Sequence, residues 1–227
     1  MTNEIDFDKI YFRPARPEDA VEHFRAIQES YKEASQFLPF FVGMERWTIP
    51  QHEKYLKQFG SIDVNVKNFL FFYGQQLIGA GHLKKSIWDH SGELLYWTRT
   101  GWDGFGIGQF IAKTMMKSAS TNFGYRFMVI QTDRNNIGSK RVAEKLGGSP
   151  ELIYGYTDHY GRQSNMVVWV IPMPVTKVAS PYDSSYAFNP YTLLLNTIYR
   201  FDHEGKLKNY LAHDPWLERN RESKEEG

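Results

Sequence analysis

Gly104-Phe-Gly106-Ile-Gly108-Gln109 falls where an apolar, strand-like run (Glu93–Thr98) gives way to a helix-like one beginning at Ile107. Alternate glycines drop the Cβ atoms that would keep a ligand off the backbone and open φ angles that other residues resist. A helix that starts from such a turn points several unpaired N–H groups at one place, where its dipole also favours an anion. Strand, glycine turn and helix in succession hold this part of the chain to a sheet-and-helix plan with an anion cradle at the end of a strand. A tight turn with no ligand is the alternative use of the same glycines.

The flanking patterns extend that plan. A short strand at Ile10–Arg13 leads through Pro14 and Pro17 into a helix that begins at Glu18 or Asp19 and reaches about Lys32, with Ala20, Phe24 and Ile27 as its apolar face. Pro39, Gly43 and several aromatics mark an irregular stretch, and a second helix runs from Thr48-Ile-Pro50 to about Ile62. Asn68–Tyr73 and Gln76–Leu83 pair as a hairpin through Gly74-Gln75. A loop at Trp88–Gly92 then precedes the Glu93–Thr98 strand.

After the glycine loop come a helix to about Thr121, with Phe110, Ile111, Met115 and Ala119 on its core face, and a continuous apolar strand at Arg126–Gln131. A helix follows at Asn136–Leu146, stopped by Gly147-Gly148, and then strands at Glu151–Tyr156 and Asn165–Val170 around a turn at Asp158–Gly161. Antiparallel meanders with one strand–helix–strand crossover make a mixed α+β sheet.

With 227 residues, 41% of them hydrophobic and 23% charged, the chain has the means to build one full core. A net charge of +1 gives no electrostatic basis for nucleic acid or an anionic membrane surface. The absence of cysteine removes disulfides and thiolate nucleophiles, and the scattered histidines, with Asp158-His159 alone, form no metal shell. The acidic N-terminus has no apolar signal core, so a cytoplasmic protein is expected. From Pro172 the pattern changes, and residues 172–227 read as an extension. Its apolar positions, among them Leu194, Ile198, Phe201 and Trp216, are too many for a free linker; they fit covering the domain's own core, covering a cleft or forming a homodimer.

Two nucleotide readings of the loop fail on its own residues. A P-loop needs Gly-Lys-Ser/Thr, but Gln109-Phe110 follow Gly108. A dinucleotide fold needs G-x-G-x-x-G and a later carboxylate, but the third glycine comes one residue early and no acid stands near Gly124. The downstream residues point elsewhere. Asp103-Gly-Phe-Gly106-Ile-Gly108, followed by a strand and by Asp133-Arg-Asn-Asn136-Ile-Gly-Ser139-Lys-Arg-Val-Ala-Glu-Lys-Leu-Gly147, resembles the GNAT (Gcn5-related) N-acetyltransferases, most of all their Rim-type branch. The likeness covers roughly residues 9–171. Asp103 stands where the family has Gln or Arg, and Gly148 where it usually has an aromatic residue.

The resemblance implies a central mixed, mostly antiparallel sheet of about six or seven strands with helices on both faces. It implies acetyl-CoA as cosubstrate and direct transfer to a primary amine, either a protein N-terminus or a small molecule. Other acyl-CoA donors, or a CoA-binding module without turnover, are the alternatives. By the same resemblance the pyrophosphate sits on the amides of Phe105, Gly106, Ile107, Gly108 and Gln109. Asn136 and Ser139 contact the cofactor, and a backbone N–H near Trp97 or Thr98 takes the oxyanion. The tyrosine acid that many members carry would fall at Ala143; the likeness to the Rim-type branch implies Ser139 as the candidate acid instead, with a simple hydrogen bond to cofactor or helix backbone as its other reading. Glu93 leads as base because it starts the strand beside the thioester, with His82 and His90 behind it. Tyr96 and Trp97 are candidates for the acceptor pocket, or simply core.

Overall fold

The computed structural model describes residues 5–59, 66–85, 91–123, 125–158 and 161–173. Ile62, His90, His159 and the extension beyond Met173 lie outside these residues. Seven strands form one sheet: β1 (Ile10–Pro14), β2 (Val66–Tyr73), β3 (Gln76–Lys85), β4 (Ser91–Thr98), β5 (Phe127–Asp133), β6 (Ser149–Thr157) and β7 (Gln163–Pro172). Their order is β1-β2-β3-β4-β5-β7-β6, and only β4 and β5 run parallel. The helices are α1 (Ala20–Ala34), α2 (Ile49–Phe59), α3 (Ile107–Phe123) and α4 (Ile137–Lys145). The expected mixed, mostly antiparallel sheet is therefore present, with most element ends within two residues of the sequence reading.

Alternation along the strands splits the core into two layers. Leu70, Phe72, Leu77, Ala80 and Trp97 face α1 and α2, and Phe71, Ile78, Leu83, Leu94 and Ile130 face α3 and α4. Two glycines of β3 set how closely α3 lies on the sheet. A Cβ at Gly79 would stand 2.4 Å from the Trp97 carbonyl oxygen and 2.7 Å from Ile111 Cδ1; one at Gly81 would stand 2.7 Å from Met115 Cγ. On α3 the core face is Ile111, Ala112, Met115 and Ala119, with Phe110 only half-buried.

On α1 the buried face is Ala20, His23, Ala26, Ile27 and Ser30, while the expected Phe24 is half-buried. Polar residues occupy that face because each has a use. Ser30 Oγ accepts the Thr100 N–H at 3.0 Å, and His23 Nδ1 lies 2.8 Å from His52 Nδ1 of α2. Asp19, expected in the first turn of α1, ends a preceding 3-10 turn instead. Its carboxylate binds Arg13 of β1 and the Arg16 N–H, which ties the start of α1 to the sheet edge.

The strongest clamp is Arg99, which follows β4 and is 3% exposed. Its Nε and Nη2 donate to the two oxygens of Glu29 at 2.7 and 2.8 Å, and its Nη1 donates to Glu22 at 2.6 Å and to the Leu77 carbonyl at 2.9 Å. Glu22 also accepts the Leu77 N–H at 3.0 Å. Hydrogen bonding to Arg99 holds the Glu29 carboxyl below its usual range. Helix α1 is thus fixed by its carboxylates to the start of β3 and the end of β4.

The Gly147-Gly148 stop works as expected. Gly147 takes φ +79° and donates to the Glu144 carbonyl, and Gly148 donates to that of Ala143, the two bonds of a Schellman cap. A Cβ at Gly148 would lie 2.9 Å from the Ala143 carbonyl oxygen and 3.0 Å from Ile171 Cγ1. This close fit against β7 accounts for glycine at position 148.

The histidine pair makes stability depend on pH. Desolvation, then the neighbouring His52, lowers the His23 pKa to about 3; burial also lowers that of His52, and it takes His82 to about 4. Below the ordinary value of 6.5 the unfolded chain binds protons that the folded chain refuses. Their stabilisation is therefore complete above pH 6.5 and is lost as the pH falls toward these values, at about 1.4 kcal/mol per pH unit for each such histidine. Urea denaturation should show stability falling from pH 6.5 to 4.5, with a shallower fall in a His23→Leu, His52→Leu double variant. A flat profile in the parent protein would contradict burial of neutral imidazoles.

Candidate active site

The parallel ladder between β4 and β5 consists of Ser91–Phe127, Gly92–Met128 and Glu93–Val129, and the pairing stops there. Residues 94–98 of β4 continue paired to β3 alone, while Ile130–Asp133 of β5 continue paired to β7. The sheet is therefore parted between Leu94–Thr98 and Ile130–Asp133. A parted pair of strands leaves backbone N–H and C=O groups facing a gap that an extended chain can enter.

The loop at the open end of β4 is built from glycines with separate tasks. Gly101, Gly104 and Gly106 take φ of +88°, +81° and +83°, in the left-handed region. A Cβ at Gly104 would meet nothing within 4 Å, and one at Gly106 only Phe7 Cζ at 3.6 Å. Gly108 differs from them: it lies inside α3, and its missing Cβ lets the helix lie against Tyr96 and Thr98, each 3.3 Å from where that atom would be. The regular triplet of the sequence is thus two turn glycines and one packing glycine, and the third turn glycine is Gly101.

Helix α3 opens at Ile107, which is buried, and its first backbone bond runs from the Phe110 N–H to the Gly106 carbonyl at 2.9 Å. The amides of Ile107, Gly108 and Gln109 are the first-turn donors that an α-helix cannot satisfy itself. Phe105 is exposed, whereas Gly108 and Gln109 are half-buried. The backbone N–H groups of Gly101 and of its own residue favour the charged form of Asp103. Burial raises its pKa, and Glu33 acts on it as a like charge.

The two faces of β4 carry different groups into the parting. Tyr96 belongs to the α3 face, and its hydroxyl lies 3.0 Å from Ser139 Oγ of α4. Desolvation raises the Tyr96 pKa to about 12, so the phenol stays protonated at neutral pH. Asn136 caps α4, accepting the Ser139 N–H on Oδ1 at 3.0 Å, which keeps Ser139 at the head of the helix. Trp97 faces the other way and is core, packed edge-on against Phe41 and His23.

Glu93 shares the Trp97 face of β4. Its carboxylate accepts from Gln131 Nε2 of β5 at 3.1 Å, and Gln131 Oε1 in turn accepts from the Tyr154 hydroxyl of β6. On the same face, the turn between β6 and β7 reaches α1. Buried Asp158 accepts from the Arg162 backbone N–H at 2.9 Å and from its Nε at 2.6 Å, and Arg162 Nη1 donates to the Ser35 carbonyl at 2.7 Å.

The sequence-predicted residues thus gather around one gap, with Phe105–Gln109 at its mouth, Asn136 and Ser139 on one face and Glu93 on the other. His82 is on β3, outside the parting, and its lowered pKa makes it a poor proton carrier at neutral pH. The Gln131 contact to Glu93 and the Tyr154 contact to Gln131 join residues far apart in the sequence, and alternation on β5 and β6 places both side chains on one face. Among the described residues, no cluster of His, Cys, Asp or Glu could hold a metal ion, and no helix is long and apolar enough to cross a membrane.

The profile of the acetyltransferase (GNAT) domain family matches residues 9–149. No curated protein sequence matches the chain. Solved structures that share the fold include a ribosomal L7/L12 alpha-N-protein acetyltransferase, RimL, in complex with coenzyme A. It is 15% identical, with a TM-score of 0.63, over 72% of this chain and 94% of that one. The microcin C7 self-immunity acetyltransferase MccE, in complex with acetyl-CoA and AMP, is 13% identical with a TM-score of 0.66, over 73% and 93%. A ribosomal-protein-S5-alanine acetyltransferase from Vibrio fischeri is 14% identical with a TM-score of 0.64, over 78% and 98%. At these identities the likeness is one of fold.

The cap on α4 is open to test. Asn136→Ala removes the acceptor for the Ser139 N–H and should lower stability by about 1 kcal/mol in chemical denaturation. No loss would show that the cap contributes nothing to holding Ser139.

Proposed function

The chain belongs to the GNAT acetyltransferase family, and on that footing we propose that it moves the acetyl group of acetyl-CoA directly to a primary amine, on a protein N-terminus or a small molecule. The observation that carries this reading is the parting of β4 from β5 beside the glycine-led start of α3, with a carboxylate on one face and a hydroxyl on the other.

The fit to acetyl-CoA rests on the loop. Open space above Gly104 and Gly106 leaves room for a pyrophosphate, and the first-turn amides from Gly106 to Gln109 supply its donors. Asn136, whose Oδ1 is used by the cap, has its Nδ2 as the group to offer the cofactor. The pantetheine arm fits the parted strands as an added extended chain, and its thioester then lies between Ser139 on the α3 side and Glu93 on the α1 side.

This separation suits direct transfer, because acceptor and donor approach from opposite faces. Glu93 takes a proton from the acceptor ammonium, and the freed amine adds to the thioester carbon. A backbone N–H of β4 holds the resulting oxyanion. The Arg99 N–H is used on the Ile78 carbonyl of β3, so alternation favours Thr98 over Trp97 as the donor facing the gap. When the carbon–sulfur bond breaks, Ser139 Oγ gives its proton to the thiolate and regains one from the Tyr96 hydroxyl. The second proton, which the attacking nitrogen sheds in becoming an amide, passes through solvent to restore Tyr96. Tyr96 thereby fills part of the place left by Ala143.

Calorimetry with CoA and acetyl-CoA, followed by thiol release across a panel of amines and peptide N-termini, tests the proposal. Binding of acetyl-CoA and turnover on at least one amine are expected, with Glu93→Gln lowering kcat/KM by about 10²–10⁴ fold while leaving CoA affinity unchanged. Gly106→Val should weaken CoA binding at least about tenfold, because it fills the cradle and strains a left-handed residue. An absence of acetyl-CoA binding would overturn the reading.

A further inference from the structure

Tyr154 lies on β6, two strands away from the parting, yet its hydroxyl reaches across β7 to an amide that touches Glu93. A glutamine side chain has two ends: its oxygen accepts and its nitrogen donates. Turned one way, Gln131 offers the Glu93 carboxylate a donor; turned the other way, it sets an oxygen against an oxygen. A phenol that donates to Oε1 fixes the first orientation. Burial, then the charge of Glu93, raises the Tyr154 pKa, so the phenol keeps the proton it donates. Gln131 lies two residues beyond Val129, the last β5 partner of β4, so its amide bridges the point where the strands separate.

We infer that Tyr154 is a positioning residue which, through Gln131, holds the Glu93 carboxylate ionised and aimed at the acceptor amine. The inference rests on the assignment of Glu93 as base. One carboxylate oxygen of Glu93 is held by Gln131 Nε2, which fixes the carboxylate plane beside the gap. The Gln131 donor favours the charged carboxylate and so sets its basicity. Other titratable groups face Glu93 on the same side of the sheet: Lys84, its direct partner on β3, His82 two residues before Lys84, and Tyr154 itself. Lys84 acts in the same sense as Gln131 but does not depend on Tyr154, so removing the phenol changes the amide's contribution alone.

The experiment follows the Glu93 carboxyl carbon by carbon-13 NMR over a pH titration, in the full chain and in Tyr154→Phe, with the pH profile of kcat/KM measured beside it. Without the phenol, Gln131 is free to turn. The Glu93 pKa should rise by about one pH unit, and the acidic limb of kcat/KM should move with it, with CoA affinity unchanged. If Tyr154→Phe does not fold, Gln131→Met, which removes both amide atoms at similar length, gives the same comparison. A Glu93 pKa that stays put in the variant, with only the melting temperature reduced, would overturn the inference. Undiminished turnover in Glu93→Gln would instead refute the choice of base, while the NMR titration would still report whether Tyr154 controls the carboxyl.

Discussion

Everything at the mouth of the parted sheet depends on Arg99. Its guanidinium is out of water, and it remains charged because Glu22 and Glu29 of α1 and the Leu77 carbonyl occupy its donors. Removing one partner of a buried pair typically costs about 3–5 kcal/mol, because the remaining charge is stranded; here Glu29 is 52% exposed and Glu22 22%, so water offsets part of that cost. The clamp also fixes geometry. Arg99 is the first residue after β4, and the loop that leads to α3 starts from it. A shift of α1 along the sheet would carry Arg99 with it and misplace the amides of residues 106–109. The wall on the acceptor side and the floor on the donor side are therefore set by the same side chain.

The parting turns the parity of a strand into a division of labour. Odd residues of β4 (Glu93, Leu95, Trp97) face α1 and α2; even ones (Leu94, Tyr96, Thr98) face α3. A carboxylate (Glu93) and a phenol (Tyr96) only three positions apart thus end up on opposite sides of the sheet, joined through a gap instead of sharing a pocket. Separation of this kind keeps Glu93 from neutralising the Ser139–Tyr96 pair by direct hydrogen bonding. It also lets each group be held by its own partners, Gln131 and Tyr154 on one side and the capped start of α4 on the other.

Much of this was legible in the chain because local chemistry sets it. Gly104-Phe-Gly106 must turn, Asn136 caps, Gly147 ends a helix, and alternating apolar runs make strands, so the order of elements and the glycine turn before α3 could be read directly. What could not be read depends on distant partners. Phe24 fits the helical period as well as His23 does, yet the imidazole is buried because His52, 29 residues later, receives it. Asp103 looks hostile to an anion, and the burial, backbone N–H groups and Glu33 that set its charge come together only in the folded loop. The tie between Glu93 and Tyr154 spans 61 positions and four neighbouring strands; each residue alone reads as an ordinary strand polar group.

The two glycines of β3 have a further consequence. Because Gly79 and Gly81 contribute no side chain, the distance between α3 and the sheet is defined by missing atoms, and backbone and helix side chains already fill the space. Added bulk at either position would have to tilt or lift α3, and with it the amides at the helix start, relative to the strand edge 94–98. On the proposed function, the spacing between the glycine-led start of α3 and the gap then acts as a fixed gauge for the length of arm the protein accepts. A change of acyl donor could be reached by altering the walls of the gap, but a donor with a longer or shorter tether would require a different β3.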